Sequence, residues 1–107
     1  MSKGAYAKAQ AAFEQARAYD PASAAALAGL GEVAFEQGQY DEAIDKLRAA
    51  VRLNRNSRYL TLLGNSYFKR RQYKQAIEQY KRALQLEPGS KEATDGLEAA
   101  QKKLRGG

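Results

Sequence analysis

The chain predicts an all-α fold of six helices stacked as antiparallel hairpins. Three observations carry that prediction. Apolar residues recur at intervals of three and four and do not alternate as in a strand. Proline occurs only as Pro21 and Pro88, each between helical patterns. One phrase is written three times, as "GAYAKAQAAFEQARAY" from Gly4, "GQYDEAIDKLRAAVRL" from Gly38 and "RQYKQAIEQYKRALQL" from Arg71, at intervals of 34 and 33 residues. A motif repeated at a fixed interval is architecture before it is chemistry.

The elements follow in order. A first helix is expected over 4–19, carried by Tyr6, Ala9, Phe13 and Ala16 and stopped before Pro21. A second, over 24–37, runs through Leu27, Leu30 and Ala34, with Ser23 placed to accept from its orphan amides and Gly38 to close it left-handed. The third, over 41–54, uses Ala43, Ile44, Leu47, Ala50 and Val51, with Tyr40 just ahead of it. The fourth is expected over 57–70, capped by Asn56 or Ser57. The fifth, over 74–86, repeats the phrase, and the sixth, over 90–104, starts at Ser90. Connections of a few residues make sequence neighbours antiparallel. No low-complexity linker divides the chain, so residues 1–107 are expected to form one domain.

Composition narrows the chemistry. The chain has neither cysteine nor histidine, so disulfide staples, thiolate metal sites and the commonest general base are missing. The net charge of +6 is unevenly placed. Residues 1–56 carry seven Lys/Arg against seven Asp/Glu, and residues 57–107 carry eleven against five, so the second half holds the whole excess. That asymmetry points to an acidic partner. The start "MSKGAYAKAQ" shows no apolar leader, and no apolar run approaches the roughly 18 to 20 residues that span a bilayer. No membrane insertion is expected. The compartment stays open, the cytoplasm being expected if the chain is complete.

Alignment of the copies is residue by residue. Tyr6, Tyr40 and Tyr73 correspond, then Ala9, Ala43 and Ala76, then Phe13, Leu47 and Tyr80, then Ala16, Ala50 and Ala83. Ahead of two copies stands a second element, "LAGLGEVAF" at Leu27–Phe35 and "LTLLGNSYF" at Leu60–Phe68. Gly31, Gly64 and the four later alanines are small where two helices must approach within about 8–10 Å. This pattern resembles the tetratricopeptide repeat (TPR). Residues 24–56 match the family pattern at Leu27, Leu30, Gly31, Ala34, Gly38, Tyr40, Ala43, Leu47 and Ala50. Residues 57–90 match it at Leu60, Leu63, Gly64, Tyr67, Tyr73, Ala76, Tyr80, Ala83 and Pro88. The resemblance implies a right-handed α-solenoid made of a half repeat at 4–23 (second helix only), repeats at 24–56 and 57–90, and a capping helix at 91–105. Two departures stand out. Arg55 and Asn56 replace the usual proline, and Arg71 replaces the turn glycine, at a cost of about 1 kcal/mol if it is left-handed.

In the family the first helix of each unit lines a concave groove. Carried over, the resemblance implies a peptide-binding face containing Ala28, Glu32, Phe35, Arg58, Thr61, Asn65, Phe68 and Lys69. Phe35 and Phe68 would supply an apolar floor, and Arg58, Asn65 and Lys69 would hold an acidic or amide-rich segment. Asn65 stands where chaperone-binding members grip a C-terminal carboxylate. Ala28, Glu32 and Asp95 stand where that clamp has Lys, Asn and Lys, so a chaperone-tail clamp is not expected. The expected function is a non-catalytic protein-interaction module or adaptor with no cofactor. Self-association through the opening half repeat is the alternative. A nucleic-acid surface at "KRRQYKQ", Lys69–Gln75, is the weaker reading, because an exposed turn tolerates charge and no recognition module accompanies it. Glu32 and Glu36, one turn apart near Asp41, Glu42 and Asp45, are read as a solvated acidic face. The tail "LRGG" is read as a frayed end.

Overall fold

The computed structural model describes residues 3–106. Gly107, the last residue of the tail motif, lies outside them. Six helices follow one another: α1 (Lys3–Tyr19), α2 (Ala24–Glu36), α3 (Tyr40–Leu53), α4 (Ser57–Lys69), α5 (Tyr73–Leu86) and α6 (Lys91–Leu104). Each boundary falls within one residue of the sequence expectation. There is no strand among the described residues.

The helix starts follow from local chemistry. Ser23, Asn56 and Ser90 each accept a hydrogen bond from the backbone N–H three residues on, at 3.1, 2.9 and 3.2 Å. Asn56, and not Ser57, therefore caps α4. Helices α2 and α4 both end in a Schellman turn. The Gly38 and Gln39 amides donate to Phe35 and Ala34 carbonyls, and Arg71 and Gln72 amides donate to Phe68 and Tyr67 carbonyls. The residue that makes the turn is left-handed in both, Gly38 at φ 79° and Arg71 at φ 61°. Arg71 thus adopts the strained conformation foreseen for it. After α1 and α5 the chain turns through Pro21 and Pro88, with Ser23 donating back to Asp20 and Ser90 to Glu87.

The chain forms two compact units, Met1–Asn54 and Arg55–Gly107. In the first, α2 packs against both α1 and α3. Its core is Leu27, Leu30, Val33, Ala34, Ala43, Ile44, Leu47 and Ala50, all buried. In the second, α5 packs between α4 and α6, which also touch. Tyr59, Leu60, Leu63, Ala76, Tyr80, Ala83, Ala93 and Ala100 are buried there. The alanines at 43, 50, 76 and 83 are wholly buried, as expected of residues that set the distance between helices. Lys91, Glu92, Asp95, Glu98, Lys102 and Lys103 keep the outer side of α6 in solvent.

Candidate functional site

The centre of the second unit is one side chain. Tyr80 is 1% exposed, and its ring lies against the bare backbone of two helices. A Cβ on Gly64 of α4 would stand 2.7 Å from Tyr80 Cε1, and one on Gly96 of α6 would stand 2.5 Å from Cζ. The ring is therefore clamped, and the position of its hydroxyl is fixed with it. That hydroxyl donates to Asn65 Oδ1 at 2.5 Å. Burial pushes the Tyr80 phenol well above the ordinary tyrosine range, so it remains a neutral donor.

This contact decides what Asn65 presents. A carboxamide has one accepting oxygen and an NH2 group with two donors. With its oxygen bonded to Tyr80, half-buried Asn65 keeps an NH2 group able to donate. Arg58 lies two turns before it on α4 and Lys69 one turn after, both exposed. Arg58 also borders a recess of about 400 Å³ with Ser57, Glu87 and Lys91, where Ser57 Oγ donates to Glu87 Oε2 at 2.7 Å. The open side of α4 thus offers hydrogen-bond donors and positive charge.

The other residues named from the sequence fall into two groups. Ala28 and Thr61 have almost no area to offer, at 2% and 4% exposure. The Thr61 hydroxyl is spent on the Ser57 carbonyl at 2.8 Å. Phe35 and Phe68 are half-buried, and each meets the tyrosine that opens the next helix edge to face. The ring centroids are 5.4 Å apart for Phe35–Tyr40 and 5.3 Å for Phe68–Tyr73. Both rings therefore lock a Schellman turn while keeping one side open to solvent. Glu32 is half-buried on α2, one turn from exposed Glu36.

Sequence reasoning had not linked Tyr80 to Asn65. The signal available was the phenol at 80, where the aligned copies have Phe13 and Leu47, with an asparagine on the facing helix. Among the described residues no group of three or more acidic side chains is placed to hold a metal ion. No helix among them is long and apolar enough to cross a membrane.

Comparison with known proteins bears on what kind of scaffold this is. Two tetratricopeptide-repeat family models match the chain, over residues 1–65 and 57–90. No curated protein sequence matches it. Among solved structures, the chain is similar to the first TPR of Spaghetti (RPAP3) bound to the HSP90 peptide SRMEEVD. Identity is 25% and the TM-score 0.91, over 96% of this chain and 82% of that one. It is similar to the first TPR domain of human RPAP3, at 25% identity and TM-score 0.92, over 97% of this chain and 83% of that one. The Sgt2 TPR domain from Aspergillus fumigatus follows at 25% identity and TM-score 0.90, covering 96% and 70%. The repeated sequence phrase, the six helices and these likenesses agree on an all-α solenoid of helical hairpins, and the chain belongs to the tetratricopeptide repeat family.

Proposed function

We propose that this chain is a non-catalytic protein-interaction module that holds an acidic peptide segment of a partner protein, with the open side of α4 as its anchor. The observation that carries the reading is the hydrogen bond from Tyr80 to Asn65 Oδ1. It occupies one lone pair of the Asn65 oxygen and orients the carboxamide, whose NH2 group, flanked by Arg58 and Lys69, suits a carboxylate or a backbone carbonyl. Phe68, half-buried on the same stripe, gives an apolar neighbour for a side chain of the bound segment. The bound peptide of the Spaghetti structure, SRMEEVD, is itself acidic, which supports the same class of partner. Glu32 on α2 is anionic, and Ala28 is buried and carries no charge. We therefore expect the partner's carboxylates to be read by Arg58, Asn65 and Lys69, and not by a clamp that needs cations at 28 and 32.

The test is a peptide-display selection run on the parent domain and on a triple variant, Arg58→Glu, Asn65→Ala, Lys69→Glu. Thermal melts first establish that the two are equally stable. Acidic peptides enriched by the parent and lost by the variant are the expected result. Equal enrichment by both would place binding on another face and overturn the assignment. Failure of the parent to enrich any acidic peptide would overturn the reading itself.

A further inference from the structure

The same turn is built twice in this chain with opposite charge. Helices α2 and α4 end in turns with the same hydrogen bonds, and each turn is locked by an equivalent edge-to-face pair, Phe35–Tyr40 or Phe68–Tyr73. The first turn reads "QGQYDE" over Gln37–Glu42 and the second "RRQYKQ" over Arg70–Gln75. Two carboxylates in the first are replaced by three cations in the second, on the same backbone. Charge is not needed to end the helix, since α2 ends this way with no basic residue in its last turn. Arg71 even opposes the turn, being left-handed at φ 61° where glycine is unstrained. Strain kept at an exposed residue outside the core points to a use for its charge.

The fold gathers more of the same charge at that end of the second unit. Gly64 of α4 and Gly96 of α6 press the same Tyr80 ring, so the three helices share a level there. Four residues on along α4 and α6, and four back along α5, Phe68, Ala100 and Ala76 meet in one cluster. Just beyond that layer come Lys69 and Arg71, Lys74, and Lys102 and Lys103, all exposed. At 1.5 Å per residue, Lys69, Lys74 and Lys102 stand about 8–9 Å from the level of the ring, on one side of it. Residues 69–77 and 99–106 hold seven Lys/Arg and no Asp or Glu. The nearest carboxylates along α5 and α6 are Glu78, which pairs with Arg82, and Glu98, one turn before Lys102. They offset a minority of this charge.

We propose that this end of the second unit binds a run of acidic residues in the partner's segment, beyond the one held at Asn65. This rests on the reading of the chain as a peptide-holding module. Asn65 directly follows Gly64, and Lys69 belongs to both surfaces, so one segment passes from the α4 stripe to the basic end without a break. An extended chain covers about 3.3 Å per residue, so acidic residues about two or three positions from the anchored one reach it. Carboxylates are the anions this end suits. Nucleic acid needs exposed rings on which bases stack, and Phe68 and Tyr73 are half-buried and engaged with each other. A membrane surface needs an apolar face, and among the described residues at this end Leu104 is the one exposed large hydrophobic side chain.

Backbone-amide NMR on the intact domain tests this at physiological ionic strength with two blocked peptides, Ac-EEEEEEE-NH2 and Ac-QQQEQQQ-NH2. Both should shift Asn65. The all-glutamate peptide should also shift Arg71, Lys74, Lys102 and Lys103 and bind about tenfold more tightly, as a few exposed ion pairs would give. Lys74→Gln, Lys102→Gln and Lys103→Gln together should remove that advantage and leave binding of the single-glutamate peptide unchanged. Arg71→Gly is the second variant. It should lower affinity for the all-glutamate peptide about two- to threefold while raising Tm, which an arginine with a purely structural role would not do. Equal affinity for the two peptides, an advantage that survives the triple variant, or extra shifts centred elsewhere would each overturn the proposal. So would an oligothymidylate of the same charge that binds these amides as tightly, or retention of the domain on phosphatidylserine vesicles, since the occupant would then be a nucleic acid or a membrane. Response of the basic end to the all-glutamate peptide, with Asn65 shifted by neither, would overturn the α4 anchor and leave the basic end standing as an acid-binding surface.

Discussion

At the scale of single residues, Tyr80 does two jobs that one substitution separates. Tyr80→Phe keeps the ring between Gly64 and Gly96 and removes only the hydroxyl that holds Asn65. Stability at neutral pH should fall by no more than about 0.5–1.5 kcal/mol, the net worth of one hydrogen bond. Acidic-peptide affinity should fall as well, because Asn65 is then free to rotate, and adding Asn65→Ala should cost little more. A purely structural role would leave affinity untouched. The phenol also has a pH signature. Its folded pKa is raised by burial above the unfolded value near 10, so its contribution is complete below that pH. Above it the unfolded chain binds fewer protons than the folded one, and stability falls as pH rises. Urea midpoints of the parent should therefore drop faster than those of Tyr80→Phe above about pH 10. Parallel curves would refute the assignment. Arg71 is the opposite case, a residue out of keeping with its backbone at φ 61°. Left-handed strain costs about 1–2 kcal/mol, and the extra freedom of glycine in the unfolded chain returns about 0.4–1 of it. Arg71→Gly should thus raise stability by roughly 0.5–1 kcal/mol, a rise of a few degrees in Tm.

At the scale of elements, the helices approach one another where bulk is missing. α5 lies against α4 and α6 because Gly64 and Gly96 let the Tyr80 ring touch backbone on both sides. Gly96→Ala sets two effects against each other. Alanine is the better helix former by about 1 kcal/mol. Its Cβ, however, would stand 2.5 Å from Tyr80 Cζ, and a ring clamped on both sides has nowhere to go. Overpacking of that kind costs about 1–3 kcal/mol, so the steric term should win and the urea midpoint should fall. Gly89→Ala is the control, since an added Cβ there meets nothing within 4 Å. It should shift stability by no more than about 0.5 kcal/mol. Equal losses from both would mean that close approach is not what Gly96 provides.

At the scale of the whole molecule, charge separates the peptide reading from the nucleic-acid one. The net charge of +6 guarantees some attraction to any polyanion. Such attraction comes from counterion release, so affinity for a single-stranded oligonucleotide should collapse between low and physiological salt for every sequence. Acidic-peptide binding that uses donors fixed by Tyr80 should weaken far less over the same range. Sequence-specific oligonucleotide binding that persists at physiological salt would overturn the peptide assignment.

The sequence by itself determined the helices, the caps at Ser23 and Ser90 and the small residues between helices, since each is a local matter, while the structure chose Asn56 over Ser57 as the cap of α4. Ser23, Asn56 and Ser90 cap because they stand three residues before an amide they can reach. Ala43, Ala50, Ala76 and Ala83 are buried because the repeat returns them to one helix face. Only the tertiary structure decided which side chains meet across helices. The pairing of Tyr80 with Asn65, fifteen residues away, depends on the distance between α4 and α5, which no spacing along one helix encodes. The same holds for Thr61, buried where the groove reading had placed it in the open. Periodicity says which face a residue is on, and only the crossing of two helices says what that face touches.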